Sequence, residues 1–232
     1  MKLKTFKLYD LLISKNIHHL HHANTVPTAL TFIQQGGLMS RGAVEKKGLY
    51  QTSQKSDWLD KRFDIWTDVF LDTLDLHSHF NRQNHYGPVL FKFSIDFLLK
   101  IKSEIWVTKD NPVHWNTRMP QNQKYFRSVL EMKKTWNKYK PEKRIITIRK
   151  VLKPILFNYL DEIVLDEPEI LLGQIDLYST ARRLLQRTIK SKGVDIKVKV
   201  RKCNKHCFCR DNYFEDLSNS QLRTSFLMQL KP

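Results

Sequence analysis

The chain has 232 residues, 41% of them hydrophobic, enough to bury a real core, and no run of about 18 apolar residues that would span a bilayer. Forty basic residues against 23 acidic ones give a net charge of +17, a bias toward polyanionic partners. Three cysteines, Cys203, Cys207 and Cys209, are an odd number in one short stretch. That is a poor disulfide framework and fits free thiols in a reducing compartment. The expectation is a single globular domain over 1–232, cytoplasmic and without a membrane partner, with 190–232 forming a basic carboxyl-terminal strand and tail.

In chain order, a short apolar segment from Leu8 to Ile13 precedes the compact histidine-rich stretch Ile17 to His22. Pro27 then opens a helix with Val26, Leu30 and Ile33 on one side, and Gly36 and Gly37 end it. From Ser40 to Lys61 the chain is polar and without clear periodicity, which reads as a flexible lid. Trp66, Val69, Phe70 and Leu74 follow, then a turn-like stretch from Asn81 to Gly87. Strands are expected at Val89 to Phe93, Glu104 to Thr108 and, just after Pro168, Glu169 to Leu172. The basic stretch between the last two reads as helical. Ser179 is expected to cap a helix carrying Ala181, Leu184, Leu185 and Ile189, with Gly193 as its stop. Val194, Ile196, Val198 and Val200 alternate with Asp195, Lys197 and Lys199, the period of a strand with one wet face. Separated strands and helices of this kind make an α+β fold.

The positive charge is localised. Residues 124–153 hold eleven Lys or Arg against two Glu, and residues 190–232 hold ten against four acidic residues, leaving a net of only +2 elsewhere. In the first block Tyr125, Phe126, Trp136 and Tyr139 are interleaved with lysine and arginine, a pattern that lets bases stack while phosphates are neutralised. Lys124, Arg127, Lys133, Lys134, Trp136 and Lys138 are the candidate nucleic-acid contacts. The helical spacing of Phe126, Val129 and Leu130 equally fits core positions.

Two clusters raise the question of metal. His18, His19, His21 and His22 are adjacent strand residues that point alternately to opposite faces, so at most two converge. Cys203, His206, Cys207 and Cys209 lack the two separated ligand pairs of a familiar zinc module, and a basic, partly reactive tail is the favoured reading. No metal is expected at either.

The stretch IHHLHHANTVPTALTFIQQGGLMSR, from Ile17 to Arg41, resembles the opening of the DarT-like ADP-ribosyltransferases. In that family a first strand with a His-x-Thr element leads through an Asn-containing turn to a helix and a glycine stop. On this resemblance His19 falls on the nicotinamide-site histidine, His21 replaces the usual threonine while keeping hydrogen-bonding capacity, and Asn24 belongs to the cofactor-side turn. DKRFDIWTDVFLDTLDLHSHF and YGPVLFKF continue the likeness. They make Arg62 the match for an NAD-contacting arginine, whose planar fork suits a pyrophosphate. Arg41 and Tyr50 are further cofactor candidates, and a solvated loop role for each stays open. LDEPEILLGQIDL is similar to the strand carrying the catalytic glutamate, with Glu169 the first choice, Glu167 the second and Asp166 a rival. In EIWVTKDNPVHW, His114 matches a further active-site histidine.

The resemblance covers about residues 15–175. It implies an ADP-ribosyltransferase-like α+β fold with two small packed sheets forming an NAD cleft. It further implies NAD as substrate, transfer of ADP-ribose to a base of single-stranded nucleic acid, RNA or DNA, and a toxin held by a neutralising antitoxin in antiviral defence. A carboxylate is what such chemistry needs, because cleaving the nicotinamide–ribose bond leaves an oxocarbenium-like carbon. A non-catalytic RNA- or DNA-binding module, an ADP-ribosyltransferase acting on protein, and a metal-dependent nuclease built on the histidines are the rivals.

Overall fold

A computed structural model describes residues 1–228. From the amino terminus, α1 (Thr5–Ser14) leads to β1 (His19–Asn24), α2 (Val26–Gln34), the short β2 (Gly37–Leu38), α3 (Arg41–Lys46) and α4 (Asp57–Arg62). The middle of the chain forms β3 (Val69–Asp72), α5 (Leu76–Phe80), β4 (Val89–Ser94), β5 (Ile105–Val107), α6 (Gln121–Lys124) and α7 (Val129–Lys134). It continues into β6 (Ile145–Ile148), β7 (Ile155–Leu156), β8 (Leu160–Leu165), β9 (Leu171–Leu172) and β10 (Ile175–Asp176). The carboxyl-terminal part is α8 (Leu177–Ser191), β11 (Val198–Val200), α9 (Cys209–Glu215) and α10 (Asn219–Phe226). None of the described helices is long and apolar enough to cross a membrane.

The α+β class expected from the sequence is the class found. Seven strands form one sheet in the order β11-β8-β4-β1-β3-β6-β5, and two two-stranded ribbons, β10-β9 and β2-β7, accompany it. Within the large sheet only β11 and β8 run parallel. Its middle is uneven. β1 pairs with β4 along its whole length, from His19↔Ser94 to Asn24↔Val89, but meets β3 at the single pair His21↔Asp72. Beyond that pair the strands diverge, so the sheet is two halves, β11-β8-β4-β1 and β3-β6-β5, joined by one bridge.

One face is closed by helices. Leu20, Phe91, Phe93 and Ile163 are fully buried there. Phe32 of α2 packs its ring 6.0 Å from Phe91, and Phe91 stacks on Phe157 at 5.7 Å. α2 is buried on all sides from Val26 to Ile33, so it carries no charged stripe, and its two threonines, Thr28 and Thr31, are hydrogen-bonded within the fold. Thr25 caps it, accepting from the Thr28 amide, and Pro27 occupies the first turn, where no intrahelical partner for its nitrogen is needed. Gly36 follows at φ +72°, the left-handed stop anticipated from the sequence.

Several expectations are corrected. The Ser40–Lys61 stretch is not a featureless lid: Ser40 caps α3 by accepting from the Ala43 amide, and α4 begins at Asp57. The basic block is not one helix but two short α-helices and two 3-10 turns followed by β6, whose Ile145-Ile-Thr-Ile is wholly buried. Asp176, not Ser179, caps α8, accepting from the Ser179 amide at 2.6 Å. The last strand is confined to Val198–Val200, the residues that pair with Ile163–Leu165 of β8. Glu169 is not in a strand; it stands at φ +57° in the loop between β8 and β9.

Candidate active site

The cleft lies where β1 and β3 part. Its walls include His22 and Asn24 from β1, Phe70 and Asp72 from β3, and Arg41 and Trp66 from the segments packed beside them. Tyr86 closes it from the turn before β4. That turn presses on the end of β1: a Cβ on Gly87, at φ +136°, would stand 2.4 Å from the Asn24 carbonyl carbon and the Thr25 nitrogen. Only glycine fits so close an approach.

Two polar groups on the cleft wall have no partner among the described residues. His22 Nδ1 is 2.8 Å from the Phe70 carbonyl, which can only accept, so Nδ1 carries the proton. Burial lowers the imidazole pKa, the ring is neutral, and the buried Nε2 is a free acceptor. Arg41 Nη2 donates to Asp57 Oδ2 at 2.7 Å and to the Thr52 carbonyl at 3.0 Å, and its Nε lies 2.7 Å from Asp57 Oδ1. Its Nη1 is buried without an acceptor. A guanidinium donor and an imidazole acceptor aimed at nothing within the protein are what a ligand-binding wall requires.

Carboxyl groups here are unevenly charged. Burial, and then the neighbouring Asp57, pushes Asp60 up to about 7. Burial, and then Asp75, does the same to Asp72. Burial pulls His21 down to about 4. Directly paired residues on antiparallel strands share a face. Asp72↔His21, His21↔Lys92 and Lys92↔Glu162 therefore form one polar row running from the cleft across β1 and β4 to β8. Burial pushes the Glu162 carboxyl up, but hydrogen bonds from Lys199 and from Lys92 at 3.1 Å outweigh it and hold the group below its ordinary value. Glu162 is the ionised end of the row.

Of the residues singled out in the sequence, Asn24 and Arg41 line the cleft, His21 stands in the row, and His19, on the same face of β1, is 2.8 Å from Asp161. The others lie elsewhere. Arg62 is exposed at the end of α4. Tyr50 is exposed and offers its backbone carbonyl to Thr31. His114 is exposed and paired with Asp110 at 3.0 Å, although its neighbours Asn111 to Val113 reach the cleft. Glu169 is exposed and ion-paired with Arg210 at 2.6 Å, Glu167 is paired with the same Arg210 at 3.8 Å, and Asp166 is buried against His77 and Arg201.

The basic block divides the same way. Tyr125 and Phe126 are core residues with 1% and 0% of their surface exposed, so neither is available to stack a base. Trp136 already carries the Arg144 guanidinium 4.1 Å above its ring. Arg149 is committed to Asp68 at 3.1 Å. Lys124 lies over the Phe63 and Trp115 rings, and Arg127 pairs with Glu131 at 3.4 Å. Lys133, Lys134 and Lys138 are exposed. Glu162 and Asp72 were passed over in the sequence. The apolar, β-branched run Ile163-Val-Leu was the available sign of a strand there, and β-pairing alone brings Glu162 beside Lys92.

Two solved structures share this architecture. DarT from Thermus sp. 2.9 in complex with ADP-ribosylated ssDNA aligns with a TM-score of 0.52 at 11% identity, over 81% of this chain and 95% of that one. The same Thermus protein in complex with NAD⁺ aligns with a TM-score of 0.50 at 12% identity, over 80% and 96%. The fold is DarT-like. No family model matches the sequence, and no curated protein does. The ADP-ribosyltransferase-like fold implied by the short motifs around β1 is thus the fold found. Its strands form one sheet split at a single bridge, rather than two separate small sheets.

Proposed function

We propose that this protein transfers ADP-ribose from NAD⁺ to a base of single-stranded DNA. The observation that carries the reading is the row Asp72–His21–Lys92–Glu162, which leads from the cleft to one ionised carboxylate. The DarT complexes with NAD⁺ and with ADP-ribosylated ssDNA support the choice of donor and acceptor.

NAD⁺ fits the free groups of the wall. The unpartnered Arg41 Nη1 suits a pyrophosphate oxygen, and His22 Nε2 suits a carboxamide or hydroxyl donor. His19 and His21 offer imidazole nitrogens to ribose hydroxyls. Glu162 holds the ribose at the reacting end and offsets the positive charge that grows on the anomeric carbon as the bond to nicotinamide breaks. The acceptor base nitrogen forms the new bond, nicotinamide departs, and the proton lost by the base passes to Glu162 or to solvent. Glu162 takes the role the sequence had assigned to Glu169, because Glu162 lies in the row that begins at Asp72 of the cleft, whereas Glu169 stands exposed in a loop, tied to Arg210. Exposed Lys133, Lys134 and Lys138 would follow the phosphates. Modified DNA makes such an enzyme toxic to its host and implies a neutralising antitoxin.

The test incubates labelled NAD⁺ with single-stranded DNA and RNA oligonucleotides. Label on DNA that is kept by Glu169→Gln and lost by Glu162→Gln supports the reading. Label confined to RNA would overturn the acceptor, and equal labelling by wild type and Glu162→Gln would overturn the catalytic assignment.

A further inference from the structure

The three cysteines, set aside as metal ligands from their spacing, converge on a histidine far from them in sequence. His77 of α5, Cys203, Cys207 and Cys209 each present one ligand atom, and these atoms all lie within 4.8 Å of one another. Cys203 Sγ is 3.5 Å from Cys209 Sγ and 3.5 Å from His77 Nε2, and Cys207 Sγ is 3.3 Å from the same nitrogen. The cysteines are free thiols. Zinc with Zn–S near ~2.3 Å and Zn–N near ~2.0 Å in a tetrahedron sets S···S edges of about 3.8 Å and S···N edges of about 3.5 Å. The Cys203–Cys209, Cys203–His77 and Cys207–His77 spacings lie close to those edges, whereas a disulfide would need sulfurs about 2 Å apart.

The histidine is held in the form that ligates. His77 Nδ1 is 3.0 Å from Asp166 Oδ2, and a carboxylate only accepts, so Nδ1 carries the proton and Nε2, with its lone pair, faces the Cys203 and Cys207 sulfurs. Asp166 is itself fixed by the Tyr213 hydroxyl at 2.7 Å and Arg201 Nε at 2.5 Å. A carboxylate behind a ligating imidazole, anchored by its own partners, is the outer shell that orients metal-bound histidines. His77 and Asp166 are each about 2% exposed, a burial that a surface ion pair would not have.

We propose that His77, Cys203, Cys207 and Cys209 bind one Zn²⁺ in a closed, four-coordinate structural site. Each thiol gives its proton to solvent as its Zn–S bond forms. The ion ties α9 and the segment before it to α5. The same segment carries Arg201, whose Nη1 reaches Asp75 Oδ2 at 2.5 Å, and Asp75 stands near His21 in the polar row. Metal binding thereby buttresses the candidate active site without entering it. His206, the histidine nearest in sequence, is exposed and is not a ligand.

The test measures metal in full-length protein purified under reducing conditions, by elemental mass spectrometry and by Co²⁺ titration of the metal-stripped protein. We expect one Zn²⁺ per chain. Co²⁺ should give tetrahedral visible bands with thiolate charge transfer, displaced by Zn²⁺, in wild type and in His206→Asn, and Cys207→Ser should lose the charge-transfer intensity of one thiolate. Asp166→Asn should weaken affinity about 10–100-fold while keeping the Co²⁺ spectrum. Folded wild type with no stoichiometric metal and no tetrahedral Co²⁺ spectrum would overturn the site. So would a Cys203–Cys209 disulfide in the native protein, or equal loss in His206→Asn. None of these readouts depends on ADP-ribosyl transfer.

Discussion

Strand β1 is bonded very differently on its two sides. Toward β4 all six residues are paired, and the shared apolar face is sealed by Phe32, Phe91 and Phe157. Toward β3 a single pair holds, and the gap beyond it is the cleft, with charged and aromatic walls. One strand thus serves as scaffold on one edge and as a wall of the cleft on the other. The candidate site is made by pairing that stops.

The contrast is testable from both edges. The largest effect is expected on the scaffold side: Phe91→Ala leaves a cavity between α2 and the sheet and should cost about 3–5 kcal/mol, read from the denaturant midpoint at unchanged slope. On the polar row, Glu162→Gln should lower the rate of ADP-ribosyl transfer about 10²–10³-fold with little change in melting temperature. A similar loss for Glu169→Gln would move the chemistry to the loop. On the cleft wall, Arg41→Ala should raise KM for NAD⁺ about 10-fold or more and leave kcat closer to wild type, the signature of a group that binds without acting on the reacting atoms.

The smallest effect is a pH dependence. The Asp72 carboxyl is raised from its unfolded value near 4 to about 7 in the fold, so between these limits the native chain holds more protons than the unfolded one. Its contribution is complete below about pH 4 and is lost as pH rises through about 7. Asp72→Asn should therefore melt higher than wild type at pH 8 and at the same temperature at pH 4. The opposite ordering would mean that Asp72 is stabilised as a carboxylate.

Much of the frame was legible because local chemistry dictated it. Thr25, Pro27 and Gly36 start and stop α2, and the runs at Val89 and Ile105 form strands wherever they find neighbours. Asn24, named from the motif around β1, and Arg41, named from the polar loop, do line the cleft. β6 was missed because a four-residue apolar run flanked by Arg144 and Arg149 has no alternation and sits in a charge-rich stretch. Arg62 and Glu169 do not line the cleft for a different reason: a short degenerate motif fixes residue type but not the direction in which a side chain points.

Composition and periodicity by themselves determined the class of fold, the ends of the central helix, the free thiols and where the positive charge is concentrated. Which charges face outward was decided only by packing, since Arg144 and Arg149 are consumed within the fold while Lys133 and Lys138 are not. Pairing across strands far apart in sequence brought Glu162 to Lys92, and the fold's closure brought His77 to Cys203, Cys207 and Cys209. The physical reason is common to both. A side chain's chemistry belongs to its residue type, whereas the partners it meets are set by contacts spanning 70 to 130 positions of chain, which no local pattern encodes.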